Sequence, residues 1–306
     1  MTRRQVAIEK AYKLINVPID PNLKLPFELS EIADYSTAEP GEPVKWFGSR
    51  DDDTDDIYSA NANGTITYHK LTNKIPVALT FQGLQSKLET ILIDEIMNSE
   101  DSNALADKKD GIIRSMDKME AYRIFNAILT IASQEVVFVS GTDLVDNITK
   151  MVQLAQKYGT DNILICGENV YKKYQTYDKD NVSTFQYNLR IKELLENLNI
   201  SKVIHCVGTL NGSTPILADG SAILVARNSH LAKGRPISLC RRKFSEQIAQ
   251  MTGVTGTPER LVEEVHNPQI INGDNGNTLG FGVLGYESLI EVVTNYRAVC
   301  WSVKLF

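Results

Sequence analysis

The glycine-rich signature Gly280-Phe-Gly282-Val-Leu-Gly285 fits GxGxxG. Such a loop lets backbone approach a pyrophosphate when it opens a βαβ unit of about 30 residues, with an acidic residue about 20 positions on. The sequence stops at Phe306, before either requirement is met. The glycines are therefore expected to give a tight bend between closing strands. Neither GxxxxGK(S/T) nor GxSxG occurs, which removes the usual phosphate loop and the hydrolase elbow. The run Asp51-Asp-Asp-Thr-Asp-Asp56 clusters carboxylates as hard cations require. It lacks the glycine and the terminal glutamate of a calcium loop, so a solvated hairpin face is the preferred reading.

Four histidines (His69, His205, His230, His266) fall in four separate segments, with no HExxH or HxH pair. Four cysteines (Cys166, Cys206, Cys240, Cys300) form no CxxC pair and are expected to be buried thiols. The remaining cluster with catalytic potential is Asp143, Glu168 and His205, each beside a glycine-containing loop: Ser140–Asp143, Gly167–Asn169 and Gly208–Asn211. Ligands of open α/β sheets gather at such strand ends. The same residues also have plain structural uses. Thr142 and Asp143 suit a helix N-cap, Glu168 suits a first helical turn, and His205 sits inside a strand-like run.

The elements that must carry these residues follow from apolar spacing. Residues 2–16 read as an amphipathic helix with Val6, Ile8, Ala11, Tyr12 and Ile15 on one face. Pro18, Pro21 and Pro26 stop it, and the stretch to about Pro43 reads as an extended arm. Residues 75–81 are expected as a short strand. A helix is expected after Gly83, with Leu84, Leu88, Ile91, Leu92 and Ile96 as its stripe. A polar break at Asn98–Asn103 precedes a second helix from about Leu105 to Ile131, with Ile112, Met116, Met119, Tyr122, Phe125 and Ile128 on one side. From 135 strand and helix alternate: strands at 135–139, 162–166, 202–207, 215–218, 221–226 and 236–243, and helices at 144–157, 168–174 and 187–198. Strand character returns at 259–267 and 279–303.

Residues 41–74 form an unusual block. Val44-Lys-Trp-Phe47 and Thr65-Ile-Thr-Tyr68 are β-prone edges around the acidic run and an Asn-Gly turn signal. The expectation is a long β-hairpin that leaves the body. Five aspartates in six positions repel one another in a core, so the hairpin meets solvent or a basic neighbour.

Composition narrows the class. With 306 residues, 42 % apolar, 23 % charged and a net charge of −6, the chain is globular and mildly acidic. That argues against a protein built to grip nucleic acid through a basic face. No apolar run reaches membrane-spanning length, and the N-terminus lacks a secretory core, so a cytosolic protein without membrane partners is expected.

The order of arm, acidic hairpin, strand, long helix, α/β block and closing strands resembles the major capsid proteins of tailed bacteriophages, the Hong Kong 97-type fold. Ile75–Ile96 (IPVALTFQGLQSKLETILIDEI) is similar to that family's strand and spine-helix entry. Gly285-Tyr-Glu-Ser through Val293-Thr-Asn-Tyr-Arg-Ala-Val-Cys-Trp301 is similar to its closing strands. The resemblance implies an α+β fold with an N-terminal arm (1–40), an extended β-hairpin loop (41–74) and a peripheral domain with a spine helix (75–139). An α/β axial domain (140–240) and return strands to the peripheral domain (241–306) complete it. It implies a structural protein, without catalytic residues, cofactor or metal, that assembles with itself as hexamers and pentamers into an icosahedral virion shell around double-stranded DNA. Assembly is expected in the host cytoplasm, with scaffold, portal and decoration proteins as further partners. Inter-subunit contacts are expected at Trp46, Phe47, Arg50, Asp52, Asp53, Ile57, Tyr58, Tyr68 and Lys70. Arg3, Arg4, Lys10 and Lys13 of the arm face DNA or an acidic neighbour. No scaffolding segment precedes the arm, so a scaffold is separate, removed or absent. Lys70 and Lys74 lie near the loop's base, but no matching cross-linking motif is present. Two alternatives stand beside this reading: an encapsulin-type cargo shell, and an α/β enzyme with its site near Asp143 and Glu168.

Overall fold

The computed structural model describes residues 27–46, 77–86, 89–92, 104–137, 144–176, 195–210, 212–229, 234–251, 256–273 and 276–304. The N-terminal part holds β1 (Ala33–Ala38), β2 (Lys45–Trp46), β3 (Val77–Ala78), β4 (Gln82–Gln85), β5 (Glu89–Leu92) and helix α1 (Ala104–Leu129). Next come α2 (Leu144–Ala155), β6 (Gly159–Cys166), α3 (Glu168–Gln175), β7 (Ile200–His205), β8 (Thr209–Leu210), β9 (Thr214–Pro215) and β10 (Ala222–Ser229). The last elements are β11 (Ile237–Arg242), α4 (Glu246–Met251), β12 (Arg260–Gly273), β13 (Gly276–Val293) and β14 (Val299–Ser302).

Two sheets share the core. The four-stranded sheet has the order β14-β10-β6-β7, with β6 parallel to β7 and β10 antiparallel to both β6 and β14. Its middle strands read as unbroken apolar runs because both faces are covered. Ile163, Ile165, Ile223 and Val225 point to one side and pack with Phe125 and Ile128 of α1. Leu164, Cys166, Ala222 and Leu224 point to the other and pack with Leu144, Ile148 and Met151 of α2. Trp301 closes the first cluster by donating its indole N–H to the Ile131 carbonyl at 3.0 Å.

The other sheet is organised around β13, an 18-residue strand. It pairs antiparallel with β12, β11, β4 and β5, while β1 adds parallel to β11. Helix α1, 26 residues and about 39 Å long, crosses this strand. The crossing is close at Gly285. A Cβ there would stand 2.4 Å from Ile112 Cγ2 and 2.5 Å from Met116 Cε, so only glycine fits without a shift.

Several expectations change. The helix expected after Gly83 is absent as far as Leu92: β4 and β5 occupy that stretch. Residues 93–99 lie outside the described residues. The reason is tertiary: Gln82–Gln85 and Glu89–Leu92 find open ladder positions on β13, and sheet pairing outweighs a helical apolar spacing. The long helix is α1, starting and ending close to where the spacing placed it. The arm reading fails from Phe27 onward. Phe27, Leu29, Ile32 and Ala33 are core residues, and β1 is a full member of the sheet. The expected 135–139 strand is a single bridge from Glu135 to Trp301, with 138–139 outside the described residues. The GxGxxG glycines make no bend between strands. They lie within β13, and the ladder is irregular only where β12 shifts register between Val265 and Gln269. β14 is the exception among the closing strands, because it pairs with β10 in the four-stranded sheet. The helices expected at 144–157 and 168–174 are α2 and α3, whereas 187–194 lie outside the described residues.

Candidate functional site

Strands β2 and β3 flank residues 47–76, which lie outside the described residues. The two strands pair antiparallel, Lys45 opposite Ala78 and Trp46 opposite Val77, and the Leu79 N–H donates to the Val44 carbonyl at 3.0 Å. Arg242 on β11 fastens both flanks. Its Nη2 donates to the Glu42 carbonyl at 3.1 Å, and its guanidinium lies 3.9 Å from the centroid of the Phe81 ring. Lys243 adds an ion pair to Glu39 at 2.7 Å. Of the contact residues expected on the hairpin, Trp46 has its backbone in this pair. Phe47, Arg50, Asp52, Asp53, Ile57, Tyr58, Tyr68 and Lys70 lie outside the described residues, as do Lys74 and the arm residues Arg3, Arg4, Lys10 and Lys13.

The strand-end cluster is partly assembled. Glu168 opens α3 and His205 closes β7, and their side chains meet at 2.5 Å between Oε2 and Nε2. The imidazole stacks on Tyr171, centroids 4.2 Å apart and planes 7° apart. Lys172 pairs with the other Glu168 oxygen at 2.7 Å. The Lys172 hydrogen bond, followed by that of His205, holds the Glu168 carboxyl below the usual carboxylate range. Asp143 lies outside the described residues. Among the described residues no hydroxyl or thiol side chain hydrogen-bonds His205. No group of three or more metal-ligating side chains occurs among the described residues. All four cysteines are buried and unpaired by disulfides, and burial pushes the Cys166 and Cys206 thiols up to about 12. Such thiols are inert at neutral pH.

Sequence reasoning missed the most concentrated charge in the molecule. Glu120 of α1 is fully buried and Glu287 of β13 nearly so. Arg241 of β11 donates to both Glu120 oxygens at 2.8 Å and reaches Glu259 at 3.4 Å. Arg260 of β12 binds Glu287 at 2.6 Å, Asp117 at 2.7 Å and Glu120 at 3.0 Å. The Arg241 guanidinium also lies 4.7 Å from the Tyr35 ring centroid. Burial, and then the neighbouring Glu120 charge, push the Glu287 carboxyl up to about 7. Burial works against the Arg260 charge, yet Glu120, Glu287 and Asp117 hold its proton more firmly than usual. The signal was readable: Glu120 continues the i, i+4 row of Met116 and Ile124, a carboxylate on an apolar stripe. Its partners Arg241 and Arg260 stand on two later strands. The network's chemistry is fastening, since each guanidinium is surrounded by carboxylates within ion-pair distance.

A scan against protein-family models finds no match, and a comparison with curated proteins finds none either. Solved structures do match, over almost the whole chain. The capsid of cyanophage P-SCSP1u aligns with 95 % of this chain and 91 % of its own, at 12 % identity and a TM-score of 0.56. This is the fold of the phage capsid proteins. The capsid of a native GTA particle gives a TM-score of 0.56 at 11 % identity, covering 95 % of this chain and 92 % of that one. The SrpI encapsulin of Synechococcus elongatus gives 0.50 at 12 % identity, covering 97 % and 94 %. The capsid fold is thus a mixed α+β arrangement here, of the Hong Kong 97 type. Within it, the buried charge network ties the long helix to three strands of the β13 sheet, and Arg242 reaches from that sheet to Glu42 and Phe81 on the flanks of the β2–β3 pair.

Proposed function

We propose that this chain is a shell-forming structural protein: copies assemble as pentamers and hexamers into a closed icosahedral shell that encloses double-stranded phage DNA without reading its sequence. The observation that carries the reading is the match in backbone to capsid chains across nearly the full length. In this reading the N-terminal arm, the extended loop flanked by β2 and β3, the peripheral β13 sheet with α1 as spine, and the axial four-stranded sheet are the working parts. Trp46, Phe47, Arg50, Asp52, Asp53, Ile57, Tyr58, Tyr68 and Lys70 touch neighbouring copies. The chain has no catalytic role and works in the virion, assembled in the host cytoplasm with scaffold, portal and decoration proteins. Its net charge of −6 suits a container whose wall must not hold its contents fast.

The likeness to an encapsulin favours a second reading, a cargo shell, which differs in what the particle holds. The deciding experiment is negative-stain electron microscopy of the purified protein, with light scattering on the same sample. Closed shells or five- and six-fold rings are expected, and nuclease-protected DNA in particles from the native source marks the phage reading. A chain that stays monomeric at high concentration, with scaffold supplied, overturns both shell readings. It returns attention to Glu168 and His205.

A further inference from the structure

Helix α1 meets β13 along one seam. Ile112 and Met116 cross Gly285, and one turn further Glu120 meets Glu287 through Arg260. The first half of the seam is apolar and the second is ionic. The ionic half is short of positive charge. Four carboxylates, those of Asp117, Glu120, Glu259 and Glu287, surround two guanidiniums, Arg241 and Arg260. Asp117 and Glu259 reach solvent, with side chains 42 % and 38 % exposed, whereas those of Glu120 and Glu287 are fully buried. The other neighbours of Glu287 do not correct the balance. On β13 itself, Glu291 is answered by Arg123 of α1 at 2.6 Å. β4, which pairs with β13 at Glu287, carries only Gln82, Gly83, Leu84 and Gln85. Tyr35 of β1 lies against Arg241 and stays neutral, since burial pushes its phenol up to about 12.

The two buried carboxylates differ in their partners. Arg241 donates to both oxygens of Glu120. Glu287 receives one bond, from Arg260 Nε to Oε2, and its buried Oε1 has no hydrogen-bond partner among the described residues. Nε and Nη2 form one edge of the Arg260 fork, an edge that ordinarily takes both oxygens of a single carboxylate. Here Nε takes Glu287 at 2.6 Å while Nη2 stands 3.0 Å from Glu120, so two carboxylates crowd one edge. A buried carboxyl with a bare oxygen and a like charge beside it is favoured as the neutral acid. We propose that Glu287 carries a proton in the folded chain and that this proton is a latch: held, it keeps α1 on β12 and β13, and released, it opens the seam. Burial and the Glu120 charge together outweigh the two arginines at this carboxyl, so the closed seam favours the proton over the charge. Once the proton leaves, states that let water reach Glu287 gain weight, and the exposed Asp117 rim is where water enters. The seam is therefore closed in acid and loosens as pH rises through neutrality. The device belongs to the single subunit and does not depend on shell assembly.

The test is hydrogen–deuterium exchange of the full-length chain at pH 6 and pH 8.5, corrected for intrinsic exchange, with infrared spectra of the same samples. In the parent, protection of residues 112–124 and 260–262 should fall about tenfold between the two pH values, while residues 163–166 and 222–226 of the four-stranded sheet keep theirs. The infrared spectrum at pH 6 should carry the carbonyl band of a protonated carboxyl, and the band should fade by pH 8.5. E287Q, which has no such proton to lose, should lack the band and keep its protection at pH 8.5. E120Q removes the like charge, so its band should fade at a lower pH than the parent's. A parent without the band at pH 6 overturns the latch, whether or not the variants fold. So do a band that persists in E287Q, equal losses of protection in E287Q and the parent, and a loss that spreads equally to the four-stranded sheet.

Discussion

Arg241 grips Glu120 through two hydrogen bonds of 2.8 Å, at a point where the carboxylate has no exposure to solvent. The pair joins α1 to β11, so the long helix is fixed to its sheet by a fork rather than by apolar contact alone. Removing one partner strands the other's charge. R241M is expected to lower unfolding free energy by about 3 kcal/mol, read from urea denaturation of the subunit. R241M with E120M removes both charges and should recover part of that loss. An R241M protein as stable as its parent would mean that Arg260 alone satisfies Glu120.

Glu287 supplies a pH dependence. Its carboxyl is pushed up to about 7, above the ordinary value of 4.5. The folded state therefore holds a proton that the unfolded state has released across that window. Stability from this group is present below pH 4.5 and fades as pH rises through 7. E287Q cannot lose a proton there. Between pH 5 and pH 8 the stability of E287Q should rise relative to the parent by about 2 kcal/mol, in urea titrations at both pH values. Parallel pH curves for the two proteins would remove Glu287 as the titrating group.

The close crossing at Gly285 is tested by adding one methyl. Gly285→Ala puts a Cβ within 2.5 Å of Ile112 and Met116 side-chain atoms. The expected cost is about 1–3 kcal/mol in chemical unfolding. Ile112→Ala made on top should shrink that cost, because the two changes share one contact. Strict additivity of the pair would place the strain elsewhere.

Removing residues 48–64 should leave the subunit folded, with unchanged circular dichroism, because β2, β3 and the Arg242 clamp stay in place. Closed shells should vanish from electron micrographs. Normal particles from the deletion would take this segment out of assembly.

What the sequence made legible, it did through local spacing. The stripe from Ile112 to Ile128 marked α1, and the unbroken runs at Ile163–Cys166 and Ala222–Ala226 marked the middle of the four-stranded sheet. Leu84, Ile91 and Leu92 carried helical spacing too, but they stand on strands because β13 lay waiting some 190 positions downstream. The catalytic candidates Glu168 and His205 were picked singly, and the structure joins them through the parallel pairing of β6 and β7. The network around Glu120 escaped because its arginines and glutamates are ordinary surface types until three strands bring them together. Expectations for Phe47 through Lys70 rest on the sequence and on the proposals above.

The length and lateness of β13 also set the order in which the chain can fold. β4, β5, β11 and β12 all complete their ladders on residues 276–293. A ribosome adding roughly 5–20 residues per second needs on the order of ten seconds or more between β5 and β13. For that interval β4 and β5 have unsatisfied edges and lack the β13 ladder that completes them. The subunit therefore acquires its sheet only near the end of synthesis, and a pause or truncation before residue 276 leaves a chain that chaperones or proteases must handle.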